Sequence, residues 1–391
     1  MNLVFFTHPE FLGQQSMRRF ANMLTSGMRQ RGHSVENWSP VPIFFRFPSP
    51  DFLRKWFGYI DQYVLFPLAY RKKIKATPKD TLFVFIDQAL GPWVRLVADR
   101  PHVIHCHDFL ALRSALGEIP ENPTSWTGVQ YQSMIRRGFS KGKHFISVSH
   151  KTKDDLHRFL ITQPVFSDVV YNGFHKPFDQ QDPMDARRRF GERIQMDLAD
   201  GYLLHVGANV WYKNRAGVVE IFDAWRSKFQ KRLPLLMIGE PTTELLTRQE
   251  LSPFKRDIHW LKGIDDESLR QAYAGATAFL FPSLGEGFGW PIAEAMASGC
   301  PVITTDEAPM TEVAGAAGFF IPRMPNDRSK LKEWADHSSS VLQRVVSCSA
   351  SERDAIVGAG IENAKRFDTI RALDQIEDIY GRILSKLVTK E

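Results

Sequence analysis

Residues 281–305 read FPSLGEGFGWPIAEAMASGCPVITT. An apolar run ends at Phe281, glycines follow at 285, 287 and 289, and Pro291 stands where the first helical residue belongs, since its missing N–H costs nothing there. Gly299 is placed to stop that helix, and residues 301–305 open the next apolar run. The order is strand, glycine loop, helix N-terminus. Glycines let backbone approach a ligand closely, and the amides and dipole at a helix start favour negative charge by roughly 0.3–1 kcal/mol. Glu286 lies in the loop and Glu294 falls one turn into the helix, with seven residues between them. Both can face one crevice at the carboxyl ends of the strands. Carboxylates accept hydrogen bonds from hydroxyls, so a sugar and a ribose suit them. A dinucleotide-binding glycine motif would instead follow the first strand of its domain and lack the paired glutamates.

Outward from this unit, short apolar runs alternate with helical patterns. Residues 202–206, 235–238, 258–261, 278–281 and 302–304 read as strands, with helices over 216–229 and 266–274. The same rhythm runs earlier through strands at 3–7, 81–86, 103–105 and 145–148, a strand starting at Val35, and a helix over 17–31 closed by Gly32. Such alternation predicts parallel sheets covered on both faces. Between about 172 and 200 the chain turns polar, with prolines and mixed charge, and reads as a linker. The fold class that follows is α/β with two doubly wound Rossmann-like domains. The first covers 1–178 and the second 179–370, and a C-terminal helix spans about 371–391.

The 391 residues suffice for two cores, with 43 % hydrophobic and 24 % charged residues, as in soluble globular chains. The net charge of +6 favours anionic ligands or surfaces without naming one. Cys106, Cys300 and Cys348 are scattered and odd in number, which predicts neither a disulfide framework nor a metal site. His105 and His107 alternate onto one strand face, but two histidines without a third ligand predict no metal. No cofactor is expected. The N-terminus has no secretory pattern and no apolar run reaches spanning length, so a cytoplasmic chain is expected. Residues 52–75 mix aromatics with Arg54, Lys55, Arg71, Lys72, Lys73 and Lys75. Either they rest on an anionic surface at the inner membrane face, or they form a partly buried helix pair with a solvated basic rim. No nucleic-acid module accompanies them, so no nucleic-acid partner is expected.

The paired glutamates with GFG and proline between them, the following EAMASGCPVIT and the preceding GIDDESLRQAYAGATAFLFPS together resemble the signature of retaining glycosyltransferase family four. That resemblance implies the GT-B fold, with the two domains facing a cleft. It also implies transfer of a sugar from a nucleotide-sugar donor to a glycan or lipid-linked acceptor, with retained configuration and no metal. It assigns Glu286 to the transferred sugar, Gly287, Phe288 and Gly289 to sugar hydroxyls and phosphate, and Glu294 to the ribose. HVGANVWYKN at 205–214 resembles the family's loop after the first strand of the second domain, which makes Lys213 the cation on the donor phosphates. Ala208 replaces the family's usual arginine there, and Asn209 or Arg215 is the candidate to compensate. HCHDFLAL at 105–112 resembles the segment whose histidine faces the donor sugar, which points to His107. The family's first-loop glycine pair falls at Gln15 and Ser16, whose side chains can hydrogen-bond to the donor. A nucleotide-sugar-binding protein without catalysis and a nucleotide-sugar epimerase are the other functions this fold would allow.

Overall fold

Leu82–Phe85 is buried at every residue, as a strand must be when helices cover both faces of its sheet. It is one of six strands in the first of two units into which the chain divides, Met1–His175 with Thr369–Glu391, and Lys176–Asp368. The computed structural model describes residues 1–13, 15–174 and 178–388.

The first sheet comprises β1 Asn2–Phe6, β2 Ser34–Trp38, β3 Leu82–Phe85, β4 His102–Cys106, β5 His144–Ser147 and β6 Phe166–Val169. All neighbours are parallel, in the order β2-β1-β3-β4-β5-β6. Its core is aromatic: Phe6 stacks on Phe85 with centroids 4.6 Å apart, and Trp38, Phe66 and Trp93 surround it. The helix Gln15–Gln30 follows β1. Helix Thr369–Val388 packs beside it. Arg31 pairs with Asp374 at 2.6 Å, His33 with Glu377 at 2.7 Å, and a Cβ on Gly27 would lie 2.5 Å from Leu373. A larger residue there would have to push the Leu373 side chain aside.

The second sheet comprises β7 Leu203–Val206, β8 Leu235–Ile238, β9 Ile258–Leu261, β10 Ala278–Phe281, β11 Val302–Thr305 and β12 Phe319–Ile321. It too is parallel throughout, in the order β12-β11-β10-β7-β8-β9. Leu203, Phe222, Trp225, Leu235, Met237 and Trp334 belong to one buried cluster on it.

The polar stretch at 172–200 is more than a linker. It carries the helix Pro183–Ile194, capped by the Asp182 side chain, which accepts from the Asp185 amide. Ala186 and Phe190 are buried, Phe190 against Tyr202 at 6.0 Å, while Arg188 pairs with Asp185 and Glu192 on the solvent side. A helix that buries so few residues reads as polar by composition. The short outer strands β6 and β12 also escape the apolar pattern, because each is an edge strand of its sheet and only Ile321 among their residues is fully buried.

Both orders reverse direction once. The reversal falls between β1 and β3 in the first sheet and between β7 and β10 in the second. At such a switch point neighbouring loops leave in opposite directions and open a crevice at the carboxyl ends of the strands.

Candidate active site

The loops leaving β7 and β10 meet at the switch point of the second sheet. The 3₁₀ turn Trp211–Lys213 ends on Asn214, whose left-handed backbone (φ 49°) redirects the chain into helix Arg215–Lys228. The Asn214 side chain accepts from the Gly217 amide at 3.2 Å and donates to the Pro282 carbonyl at 2.9 Å, so one residue caps the helix and ties it to the β10 loop. Thr304 and Thr305 on β11 donate to the carbonyls of Phe281 and Ser283 at 2.8 and 2.7 Å. Held from both sides, the loop presents Glu286 to Lys213: Nζ donates to Oε1 at 2.8 Å, with the side chains 12 % and 8 % exposed. A carboxylate so little exposed is tolerated because it is paired. Ser283 Oγ donates toward the same oxygen at 2.7 Å, and the ammonium lies 4.6 Å above the Phe281 ring. Beneath the pair, His205 donates Nδ1–H to the Leu280 carbonyl at 2.8 Å. Burial pushes its pKa down to about 3, so the imidazole is neutral beside the lysine.

Gly289 adopts φ 102°, a conformation that suits glycine, and starts the helix Trp290–Ala297. Trp290 rather than Pro291 is the first helical residue. Pro291, one place later, still lies in the first turn, where a missing N–H is harmless. Phe288 is buried against Phe367 at 5.3 Å. Glu294 accepts from the Tyr273 hydroxyl at 3.1 Å, and burial, with the glutamate beside it, holds that phenol well above its ordinary pKa. Thus Lys213 and Glu286 are in direct contact, and Gly287, Phe288, Gly289 and Glu294 follow on the same loop and helix. Asn209 is exposed beside exposed Ala208. Arg215 is buried, with its guanidinium donating to the Glu240 and Gly239 carbonyls at 2.6 and 3.2 Å, over Trp260 at 4.7 Å. Its cation is committed to the end of β8. Sequence reasoning passed over Ser283 and Tyr273, each a hydroxyl on one of the two glutamates.

The family model described as glycosyl transferases group 1 matches residues 200–343, which contain this whole constellation. The chain is 31 % identical over 183 residues to O-antigen chain mannosyltransferase B of Escherichia coli, covering 46 % of this chain and 45 % of that one. It is 24 % identical over 218 residues to O-antigen chain mannosyltransferase RfbU of Salmonella typhimurium, covering 55 % of each. The chain thus spans about half the length of the curated relatives it matches. The crystal structure of Anabaena HepE in complex with UDP and glucose superposes with a TM-score of 0.68 at 16 % identity, over 97 % of this chain and 99 % of that one. The fold is that of GT-B glycosyltransferases.

The first unit has a constellation of its own at the switch point between β1 and β3. His8 Nε2 lies 2.7 Å from Asp87 Oδ2, each side chain 10 % exposed, and the Ala89 amide donates to Asp87 Oδ1 at 2.9 Å. Burial alone would raise the Asp87 carboxyl. The bond to His8 and the charges of His8 and His107 outweigh it and hold the carboxyl below its ordinary range. His107 follows β4, its Nε2–H donating to the Ile86 carbonyl at 2.9 Å and its ring edge-on to Phe20 at 4.5 Å. Burial keeps its pKa low despite the Asp87 charge. His105 points instead to the Tyr380 hydroxyl at 2.7 Å, so the two histidines serve separate partners. Among the described residues, no group of three or more His, Cys, Asp or Glu is placed to hold a metal ion. Ser16 is exposed in the first turn of the helix after β1, and the side chain of Gln15 lies outside the described residues. The signal that could have revealed His8 and Asp87 is faint: a polar residue just past each of two apolar runs.

Residues 52–75 divide in two. Helix Asp51–Ile60 exposes Phe52 (70 %) and Trp56 (51 %) beside exposed Arg54 and Lys55. Helix Phe66–Ala76 buries Phe66, Pro67 and Ile74 and lays Lys73 over Trp38 at 4.6 Å while pairing it with Glu36. Among the described residues no helix is long and apolar enough to cross a membrane.

Proposed function

We propose that this chain is a retaining, metal-independent glycosyltransferase that moves mannose from a nucleotide-activated donor to an O-antigen-type glycan, free or lipid-linked. The observation that carries this reading is the Lys213–Glu286 pair, held at 2.8 Å over the glycine loop that opens the helix Trp290–Ala297. The names of the E. coli and Salmonella relatives support the sugar and the acceptor, and the UDP and glucose bound to HepE support a nucleotide-sugar donor.

In this reading the donor diphosphate lies against the helix start and the loop amides, and Lys213 turns its ammonium to the phosphates. Glu286 holds the hydroxyls of the transferred sugar and Glu294 takes the ribose. Asn209 supplies a polar side chain at the phosphate end. The bond from the anomeric carbon to the phosphate oxygen breaks, with its electrons leaving on the diphosphate. The acceptor hydroxyl forms the new bond from the same face and gives its proton to the departing phosphate oxygen. Cationic and amide groups aimed at charge that grows in the transition state accelerate such a step.

The test offers purified protein a panel of labelled UDP-, GDP- and ADP-sugars with a membrane extract of the source cells as acceptor, with and without EDTA. The expected result is labelled glycan from a mannose donor, α-configured by NMR and undiminished by chelator. Failure to consume any donor overturns the assignment. Loss of activity in EDTA overturns metal independence alone. Placement is part of the proposal. Phe52 and Trp56, flanked by Arg54 and Lys55, rest on the anionic inner face of the cytoplasmic membrane. Flotation with vesicles containing phosphatidylglycerol, but not with phosphatidylcholine alone, is the expected result, and failure to float with either removes the membrane contact.

A further inference from the structure

Ser283 is fully buried just past the end of β10, and three segments converge on it. Its amide donates to the Phe281 carbonyl at 2.8 Å, and its carbonyl accepts from Thr305 Oγ1 on β11 at 2.7 Å. Its hydroxyl lies 2.7 Å from Glu286 Oε1, 2.8 Å from the Tyr212 carbonyl in the loop after β7 and 3.2 Å from the Gly285 carbonyl. We infer that Ser283 is a positioning residue for sugar transfer: its hydroxyl holds Oε1 of Glu286 and thereby reserves Oε2 for a hydroxyl of the transferred sugar. The inference rests on the function proposed above and adds to its sugar site a further residue and a division of labour between the two carboxylate oxygens.

Three observations carry it. First, the hydroxyl has one proton and three acceptors within reach. The Tyr212 carbonyl already accepts from the Leu284 amide at 2.7 Å, and Glu286 is the one carboxylate among the three. A bond to a charged group is roughly twice as strong as one between neutral groups, so the proton goes to the carboxylate. Second, both donors on Glu286 share one oxygen. Lys213 Nζ and Ser283 Oγ reach Oε1 at 2.8 and 2.7 Å, and among the described residues no donor reaches Oε2. Each carboxylate oxygen has two lone pairs, so Oε1 is filled and Oε2 is what the group offers a ligand. Third, the two donors differ in freedom. Lys213 has a long flexible stem, and in the proposed reaction its ammonium turns to the diphosphate. Ser283 is short and its backbone is fixed on both sides, so its hydroxyl stays. The Glu286 side chain is only 8 % exposed, and a buried carboxylate left unpaired is costly. The serine hydroxyl offsets part of that cost and keeps Oε2 aimed while Lys213 changes partner.

The experiment measures transfer by the full chain from the labelled donor to the membrane extract. Ser283→Ala lowers kcat about tenfold or more, as loss of a hydrogen bond to a charged group implies. Calorimetric affinity for the nucleoside diphosphate stays within about twofold of wild type. In a Glu286→Ala background the same substitution lowers kcat by less than about twofold further, because Ser283 then has no carboxylate to hold, and residues that act through one another are non-additive in this way. Ser283→Cys, of similar shape with a weak S–H donor, falls between wild type and alanine, and it is the variant read should the alanine chain fail to fold. Unchanged kcat in Ser283→Ala, or in Ser283→Cys where that stands in for it, overturns the inference. So does an equal loss in the Glu286→Ala background, or a nucleotide affinity that falls in step with kcat, either of which marks a structural role. Those results leave the proposed transferase standing. If the wild type consumes no donor, the proposed function falls, and if Glu286→Ala transfers at the wild-type rate, its assignment to the sugar falls; either outcome takes this inference with it.

Discussion

The two sheets place the same device at the same topological point and build it from different chemistry. In the second unit a lysine after β7 meets a glutamate after β10, on adjacent strands, at 2.8 Å. In the first unit a histidine after β1 meets an aspartate after β3, again on adjacent strands, at 2.7 Å. Lysine and glutamate are long, fully ionic side chains that can turn toward a diphosphate and a sugar. Histidine and aspartate are short, and the pair holds one ring nitrogen against a buried carboxylate. A switch point thus gives a crevice and a reason to place a charge pair, while side-chain length and protonation decide what the crevice can hold.

If this contrast is right, the second pair should matter most to chemistry. Glu286→Ala is expected to lower kcat by about 10²–10³-fold, the scale of losing one group that acts at the reacting centre. Nucleoside diphosphate affinity should stay within about threefold of wild type, a factor worth under 1 kcal/mol. Equal losses in the rate and in calorimetric affinity would place the glutamate on the nucleotide instead. Lys213→Ala should come next. Loss of a charged hydrogen bond implies about tenfold or more weaker binding of nucleoside diphosphate, with no change for the nucleoside, and titration calorimetry on both ligands separates the cases.

Acid should tell the two units apart more gently. Burial holds His102 down to about 4 and His105 to about 3 in the first unit, and His205 to about 3 in the second. A histidine with a folded pKa below its ordinary 6.5 takes up its proton more readily when unfolded. Its stabilisation is therefore complete above that value and is lost as pH falls toward the folded one, at about 1.4 kcal/mol per pH unit for each ring. With three such rings, His102, His105 and His107, against His205 and His259, scanning calorimetry from pH 6.5 to 4.5 should show the first unit melting progressively earlier than the second. A second unit that melts first would break the contrast. The smallest effect expected is Asn214→Ala. Loss of the cap should cost about 1 kcal/mol, measured by denaturant unfolding, while Asn214→Gly, which keeps the left-handed turn, should cost less.

Residue order alone carried the candidate loop of the second domain because its parts are close in sequence. Gly285, Glu286, Gly287, Gly289 and Glu294 lie within ten residues, and a strand, a loop and a helix start impose their own local signature whatever surrounds them. The alternation of apolar runs carried the parallel sheets for the same reason. The edge strands β6 and β12 and the helix Pro183–Ile194 were hidden because each buries too few residues to leave a period. Tertiary structure alone decided which charges became partners. His8 and Asp87 are 79 positions apart and Lys213 and Glu286 are 73 apart, distances that only the stacking of nonconsecutive strands can close. Tertiary structure also committed Arg215 to carbonyls at the end of β8 rather than leaving it to replace the arginine missing at position 208. Pairing of this kind depends on which strand lies beside which, and no local pattern in a chain encodes its neighbours in space.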